Sequence, residues 1–463
     1  MSFSVSLPVS TEVNGLPLKL KLIYSMGNMG IGMLTVMHMF YLVYFFFPPK
    51  EAGIAYLIPQ TSFFIGLTVL GVIMSLSRIL DAMLDPVLAN FSDRLNHPLG
   101  KRIPIMRCAA LPFAFFYVLV FFVPISNAVS YYNVVWLFVC LLLSAVAFTS
   151  YMIPFYSLMV DLAKSSDDKV DLGTISSAFW FIGFLLVSFT PTMWDVVMNL
   201  FGVSKIWAIR ITFSITACLG FIALMVPALF IDERDFASGA IKKSHKMLPS
   251  LKKVMQNRSF RFFLASNASY TIATYIFEAG LIYFITVLAV LDAGLVQGPL
   301  TVVIGGLTLA CYPLINRLAK SKGKSYVLKI SLLLFATTFV VISCFGMTDI
   351  HPYILFLLVI LFSPFAQASF GILPNVMTSD CAAYDTYKNG DDQAGMYIGI
   401  NGFCIKCGSS LGMIIFTSLL LFGKDIGDDM GIRLATMVGA VVSLLGVVFL
   451  IYYDEKEILT YTK

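Results

Sequence analysis

Apolar blocks of about twenty residues or more return along the whole chain. Each is long enough to cross a hydrocarbon core of about 30 Å as a helix. They are read at 22–47, 60–90, 104–126, 132–160, 173–198, 206–231, 260–290, 298–318, 326–347, 352–376, 395–422 and 431–453. A backbone in lipid must satisfy its own hydrogen bonds, so twelve membrane-spanning helices are expected. Composition agrees: 59% of the 463 residues are hydrophobic and 12% charged, against an apolar share of roughly 45–50% in soluble domains. The first block is too long for the apolar core of a cleaved leader. It ends on "YLVYFFFPP" with no small-residue cleavage site, so it is expected to remain as the first span.

Orientation follows from the basic residues. With twelve spans and the N-terminus inside, all but seven of the 31 Lys and Arg fall on the cytoplasmic side. Lys50, Lys205, Arg210, Lys424 and Arg433 lie in or beside outer loops, and Arg78 and Lys406 are intramembrane. That bias predicts both termini inside the cell. The net charge of +5 is therefore a topology signal, and its scatter over several loops gives no case for nucleic acid. The eight cysteines fall in or next to apolar spans and read as small packing residues. "CIKC" at 404–407 has neither the βαβ setting nor the second ligand pair that redox or zinc use would require.

The longest polar stretch, 232–258, divides the spans six and six. The expected organisation is a six-helix bundle over 1–231, a basic cytoplasmic linker over 232–258 and a second six-helix bundle over 259–463. A repeat supports this division. "NFSDRLNHPLGKR" follows the second span and "PLINRLAKSKGKS" the eighth. Arg94-Leu95 with Gly100-Lys101 recurs as Arg317-Leu318 with Gly323-Lys324, 223 residues on. Two parallel six-helix repeats, each with a basic loop after its second helix, are the plan of the major facilitator fold. The expected fold class is thus an all-α membrane protein of twelve transmembrane helices in two halves. In such folds a substrate site lies near the midplane, and access alternates between the two sides. In the two loops, Gly100 and Gly323 permit tight turns. Arg94, Lys101, Arg317 and Lys324 can bond helix-end carbonyls, either as gates or as plain caps.

Ionisable residues at lipid depth are few: His38, Arg78, Asp81, Asp85, Glu278 and Lys406. Such residues are costly there and mark functional sites. In "SRILDAMLDP", Asp81 and Asp85 stand four apart, so their carboxylates share one helix face. Arg78, three residues before Asp81, can reach it. Two carboxylates on one face suit a cation, and hard oxygen ligands suit Na+. A buried Arg78–Asp81 pair that only fixes packing would leave Asp85 over.

These residues carry a resemblance. "RILDAMLDP" followed by "DRLNHPLGKRIP" resembles the glycoside–pentoside–hexuronide:cation symporters, the family of melibiose permease. "IPFYSLMVDL" (153–162), "NRSFRFFL" (257–264) and "LPNVMTSDCAAYDTYKNGDDQAGMYIGINGFCIKCGSSLG" (373–412) agree with it. The resemblance covers nearly the whole chain. It implies that Asp81 and Asp85 are the cation-site aspartates and that Thr149 is a hydroxyl beside them. Lys406 would couple cation and substrate, and Arg78 would be the arginine that precedes the first aspartate. Leu84 stands where melibiose permease has an asparagine linked to Na+ recognition, so Na+ and H+ both remain open.

The sugar-binding positions depart from the family. Gly32 stands at the place of a first-helix aspartate, Met152 of a fourth-helix aspartate and Tyr156 of a tryptophan. Ser176, Gly371 and Asn401 replace an arginine, a tryptophan and a glutamine. His38 and Glu278 are the remaining candidates to face a substrate, with packing as the alternative for His38. The resemblance implies a symporter of a sugar, glycoside or uronate, driven by Na+ or H+, with no cofactor. An amphiphile such as a lysophospholipid is the alternative cargo, and a non-transporting membrane sensor the alternative of another class. No hydrolase, metalloprotease or nucleotide-binding signature suggests an enzyme. The expected setting is a bacterial inner membrane, with a small-molecule substrate and a monomeric chain.

Overall fold

The structure is a computed structural model, and it describes residues 16–64, 66–95, 97–163, 166–235, 253–389 and 394–460. Long helices dominate: α1 (Leu18–Phe46), α2 (Val69–Arg94), α3 (Ile103–Leu119), α4 (Tyr131–Leu162), α5 (Ser166–Ser188), α6 (Thr190–Phe201) and α7 (Lys205–Phe230). After the linker come α8 (Arg258–Tyr283), α9 (Ala293–Lys322), α10 (Lys324–Ser343), α11 (Pro352–Asn389), α12 (Ala394–Leu419), α13 (Met430–Ile451) and the short α14 (Glu455–Thr460). Ten of the described helices are long and apolar enough to cross a membrane. The charged α2 and the 17-residue α3 complete the twelve positions. Leu111, Leu219, Leu357 and Val441 stay exposed on their spans, as a lipid-facing surface requires.

Three boundaries depart from the apolar pattern. The second block opens not as helix but as a hairpin, β1 (Ser62–Phe64) and β2 (Leu67–Thr68), turning at Gly66 with φ +79°. Its apolar "SFF" reads like span to a hydropathy count. The fifth block is broken after Ser188. Pro191, in the first turn of α6, has no N–H to continue the ladder, so a new helix starts there. Helix α11, formed from the tenth apolar block, runs to Asn389, well beyond its apolar part, and carries Asp380, Asp385 and Lys388 on its polar end. Side-chain caps fix several starts: Ser130 accepts from Tyr132 N, Asn257 from Phe260 N, and Asp292 from Gly294 N and Leu295 N.

The chain separates into two compact units, Met1–His38 with Leu80–Ile241, and Met39–Ile79 with Lys242–Lys463. In the first, α3 packs on α4 and α7. Gly183 of α5 lies against the backbone of Met29 on α1. In the second, α8 packs on α12 and α13, and α10 on α11 and α13. The expected linear halves thus exchange one segment, residues 39–79. Side chains explain why. Tyr283 Oη donates to Phe47 O at 2.8 Å and Gln297 Nε2 to Tyr41 Oη at 3.1 Å, while Gly71 of α2 abuts Thr417 of α12. Most of the expected linker, 236–252, lies outside the described residues.

Candidate functional site

In the first unit, Asp81 and Thr149 are both 1% exposed, and the Thr149 hydroxyl donates to Asp81 Oδ1 in a short hydrogen bond. Helices α2 and α4 therefore bring together the first aspartate and the hydroxyl that the sequence pairs only by resemblance. Asp85 follows one helical turn later and is half-buried. Among the described residues no group of three His, Cys, Asp or Glu side chains could hold a metal ion. Helix α2 thus carries both carboxylates, and α4 the hydroxyl that bonds the first of them.

The same unit explains Gly32. A Cβ there would sit 2.7 Å from the Trp180 carbonyl oxygen. The backbones of α1 and α5 touch at this point, so an aspartate has no room. One turn earlier on α1, Asn28 is buried. Its Nδ2 donates to Ser176 O at 2.9 Å and its Oδ1 accepts from Tyr156 Oη at 3.4 Å. Tyr156 remains 43% exposed and Met152 is half-buried on the same helix. Asn28 escaped the sequence reading because an uncharged amide in a span carries no electrostatic alarm. His38 is 6% exposed, bonds the Tyr117 carbonyl through Nε2 at 2.7 Å and stacks on the Tyr117 ring at 4.0 Å. This geometry suits packing.

In the second unit, α8 carries a polar row. Ser266, Thr274 and Glu278 lie on one face at spacings of eight and four, with Tyr275 beside them. Ser266 Oγ, Tyr275 Oη and Glu278 Oε2 are buried with no hydrogen-bond partner among the described residues, and Thr274 bonds with the Tyr270 hydroxyl. Unpartnered buried polar atoms are costly, and Tyr275 and Glu278 on adjoining turns suit a polar ligand. Arg78 and Glu278 both act electrostatically on the Tyr275 hydroxyl. Helix α12 packs closely on α8 through glycines. A Cβ at Gly408 would lie 3.1 Å from Thr271 Cβ, and one at Gly412 2.9 Å from Tyr275 Cβ. Asn401 Oδ1 accepts from Asn267 Nδ2 at 2.8 Å, and Lys406 is half-buried on α12.

The loop residues form a matched pair of clasps. At the start of α3, Glu233 accepts from the backbone N–H groups of Lys101 (2.9 Å), Arg102 (2.7 Å) and Ile103 (3.1 Å). At the start of α10, Glu455 accepts from those of Lys324 (2.6 Å) and Ser325 (2.9 Å). Gly100 (φ +102°) and Gly323 (φ +96°) supply the turns, and each faces its own glutamate with no space for a Cβ between. Orphan N–H groups at a helix start carry partial positive charge, so a carboxylate is their natural acceptor. Lys324 Nζ also pairs with Asp380, and Arg102 Nε lies 3.6 Å from Asp161 Oδ2. Arg317 is exposed on α9, and the Arg94 side chain lies outside the described residues. The two glutamates were legible: "DERD" (232–235) and "DEKE" (454–457) repeat 222 residues apart.

On the opposite face, Lys424 is 8% exposed beneath the Phe47 ring (3.8 Å) and near the Tyr56 ring (4.9 Å), and it donates to Gln60 Oε1 at 2.5 Å. Burial pushes its ammonium down to about 7, against the opposing pull of Asp425. Beside it, Lys50 Nζ pairs with Asp425 Oδ2 at 3.0 Å.

Comparison with known proteins agrees with this architecture. An uncharacterized symporter of Synechocystis sp. is 28% identical over 170 residues, 36% of this chain and 29% of that protein. An isoprimeverose transporter of Lactiplantibacillus pentosus is 30% identical over 126 residues, 27% of this chain and 26% of that protein. The chain thus matches under a third of the length of these relatives. A nucleoside transporter structure superposes with a TM-score of 0.63 at 13% identity, covering 94% of this chain and 99% of that one. A proton-dependent oligopeptide transporter superposes with a TM-score of 0.66 at 12% identity, covering 96% and 99%. These likenesses fix the fold, and these proteins are a symporter and three transporters. The family described as "MFS/sugar transport protein" matches residues 23–454, and the chain belongs to that family.

Proposed function

We propose that this chain is a secondary active symporter that moves a sugar, glycoside or uronate together with Na+ or H+. The observation that carries the reading is the Thr149–Asp81 pair with Asp85 one turn away, inside a span where uncompensated charge is costly. Asp81, Asp85 and Thr149 hold the coupling cation. When the cation leaves, two like charges remain on one helix face, and that raises the cost of the empty state. Lys406 and Arg78 tune the charge balance of the transport cycle.

Membership of a sugar transport family and the partial likeness to an isoprimeverose transporter favour a polyhydroxylated cargo. With no room for a side chain at Gly32, the polar contacts fall to other residues. Within the second unit Glu278 and Tyr275 on α8 have unsatisfied polar atoms to offer; within the first, Asn28 and Tyr156 are separate candidates, an amide and a hydroxyl. The test is uptake into proteoliposomes under an imposed Na+ gradient or proton gradient, with a panel of glycosides, pentosides and uronates. Accumulation of one solute above equilibrium under one gradient is expected. Equilibration without accumulation under both gradients would overturn the symport reading.

A further inference from the structure

On the Lys- and Arg-rich face, residues at the ends of α8, α9, α10 and α13 enclose an open pocket of about 680 Å3. Arg258, Lys322 and Lys329 line it, and none of the three pairs with a carboxylate among the described residues. Their contacts are with rings. Arg258 lies 5.8 Å from the Phe262 centroid, Phe262 stacks on Tyr452 at 5.2 Å, and Lys322 lies 5.2 Å from the Tyr326 centroid. Tyr326, Ile451 and Tyr452 line the same pocket and are exposed.

Asp454, Glu455, Glu457 and Lys456 also line the pocket. Its carboxylates have donors within the protein. Glu455 accepts the two N–H groups of its clasp, Glu457 accepts the Tyr384 hydroxyl, and Asp454 accepts Glu457 N at 3.0 Å. These bonds orient the carboxylates without neutralising them, so four cations, Lys456 included, stand against three carboxylates and the lining keeps a net positive charge.

The fold itself does not demand this charge. The 223-residue offset that relates the two clasps pairs Lys322 with Leu99, Tyr326 with Ile103 and Lys329 with Met106. The N-terminal clasp has the same glycine and glutamate, but its own arginines are engaged: Arg102 lies near Asp161 and Arg107 donates to Ala228 O, whereas Lys322 and Lys329 have no such partner among the described residues. Basic pockets between transmembrane helices on the cytoplasmic side suit phosphate headgroups, and aromatic side chains suit the same membrane level.

We propose that this pocket binds the headgroup of an anionic phospholipid, with Arg258, Lys322 and Lys329 on the phosphate and the acyl chains running past Ile451 and Tyr452. Arg258 supplies the planar fork for two phosphate oxygens, and the lysines act as point charges. The proposal does not depend on which solute or cation is carried.

The test is native mass spectrometry of the detergent-purified full chain titrated with dioleoylphosphatidylglycerol or dioleoylphosphatidylcholine. The phosphatidylglycerol adduct should form with at least several-fold higher affinity. Lys322→Gln, an exposed change that keeps the fold, should weaken it roughly fivefold, and Arg258→Gln with Lys329→Gln further, at about that factor per cation. Lys320→Gln, outside the pocket, should leave it unchanged. Soluble glycerol 3-phosphate, which has the headgroup charge without chains, should compete only at far higher concentration. Equal binding of the two lipids, or undiminished phosphatidylglycerol preference in the triple variant, would overturn the proposal. Competition by glycerol 3-phosphate at the lipid's own concentration would assign the pocket to a soluble phosphate instead.

Discussion

The hydroxyl of Thr149 on α4 donates to Oδ1 of Asp81 on α2, and both side chains are almost wholly buried. A carboxylate that already accepts one hydroxyl proton is oriented for a cation on its remaining lone pairs. Asp81→Asn and Asp85→Asn should each reduce gradient-driven accumulation by at least an order of magnitude while the protein stays monodisperse. Thr149→Ala should weaken cation dependence less, because a hydroxyl supplies one neutral ligand. Uptake against cation concentration checks all three; full coupling in both Asp variants would remove the assignment.

Glu278→Gln keeps the size of the side chain and removes its charge. If Glu278 Oε2 accepts from the cargo, half-saturation for uptake should rise severalfold while cation dependence is kept. The expected loss is the difference between a charge-assisted and a neutral hydrogen bond, about 1 kcal/mol. An unchanged half-saturation would return Glu278 to a purely internal role.

Gly32→Asp would restore the family's first-helix carboxylate. The structure predicts the opposite of a gain in galactoside binding, because the new Cβ meets the Trp180 carbonyl oxygen. Lower thermal stability without galactoside uptake is the expected outcome in a melting and transport assay.

Glu233→Gln and Glu455→Gln each replace a charged acceptor at a helix start by a neutral one, at a cost of roughly 0.3–2 kcal/mol. Gly100→Ala should cost more. It forces φ +102° on a residue with a side chain, at about 1–2 kcal/mol, and crowds Glu233 as well. Melting temperatures should therefore fall in the order Gly100→Ala below Glu233→Gln below the parent.

Lys424 gives a pH dependence with a definite sign. Its ammonium titrates near 7 in the folded protein and near 10.5 when exposed. Between these values the unfolded chain binds the extra proton, so this residue's contribution to stability rises with pH across the window. Below about pH 7 the folded state carries the full cost of the buried charge. Lys424→Met should flatten the rise between pH 7 and 10. Parallel melting curves of variant and parent over that range would show that the ammonium is not so perturbed.

The sequence made the spans legible because length and apolarity are local properties. It placed their ends less well where a local rule competed. The hairpin at 62–68 is as apolar as a helix, and Pro191 breaks a run that hydropathy sees as continuous. The intramembrane charges stood out because charge inside a span is rare. The contact between Thr149 and Asp81 joins positions 68 apart, and no pattern on either helix announces it. Gly32 was read as a missing ligand, and its close contact with α5 appears only in three dimensions. The twin clasp was half visible. The glycines were found as a repeat, but their glutamate partners lie more than a hundred residues away.

The packing of residues 39–79 with 242–463 bears on how the protein is made. These residues leave the ribosome long before α8, α9 and α12 exist. Tyr41, Phe47 and Gly71 must therefore enter the bilayer without Gln297, Tyr283 and Thr417, which later cover them. Domains tend to fold as they emerge, but this second unit cannot close until its last helices are inserted. Its early segment must wait in lipid until those helices arrive. A nascent chain arrested before α12 would carry that segment uncovered, and biosynthetic quality control has its longest window there.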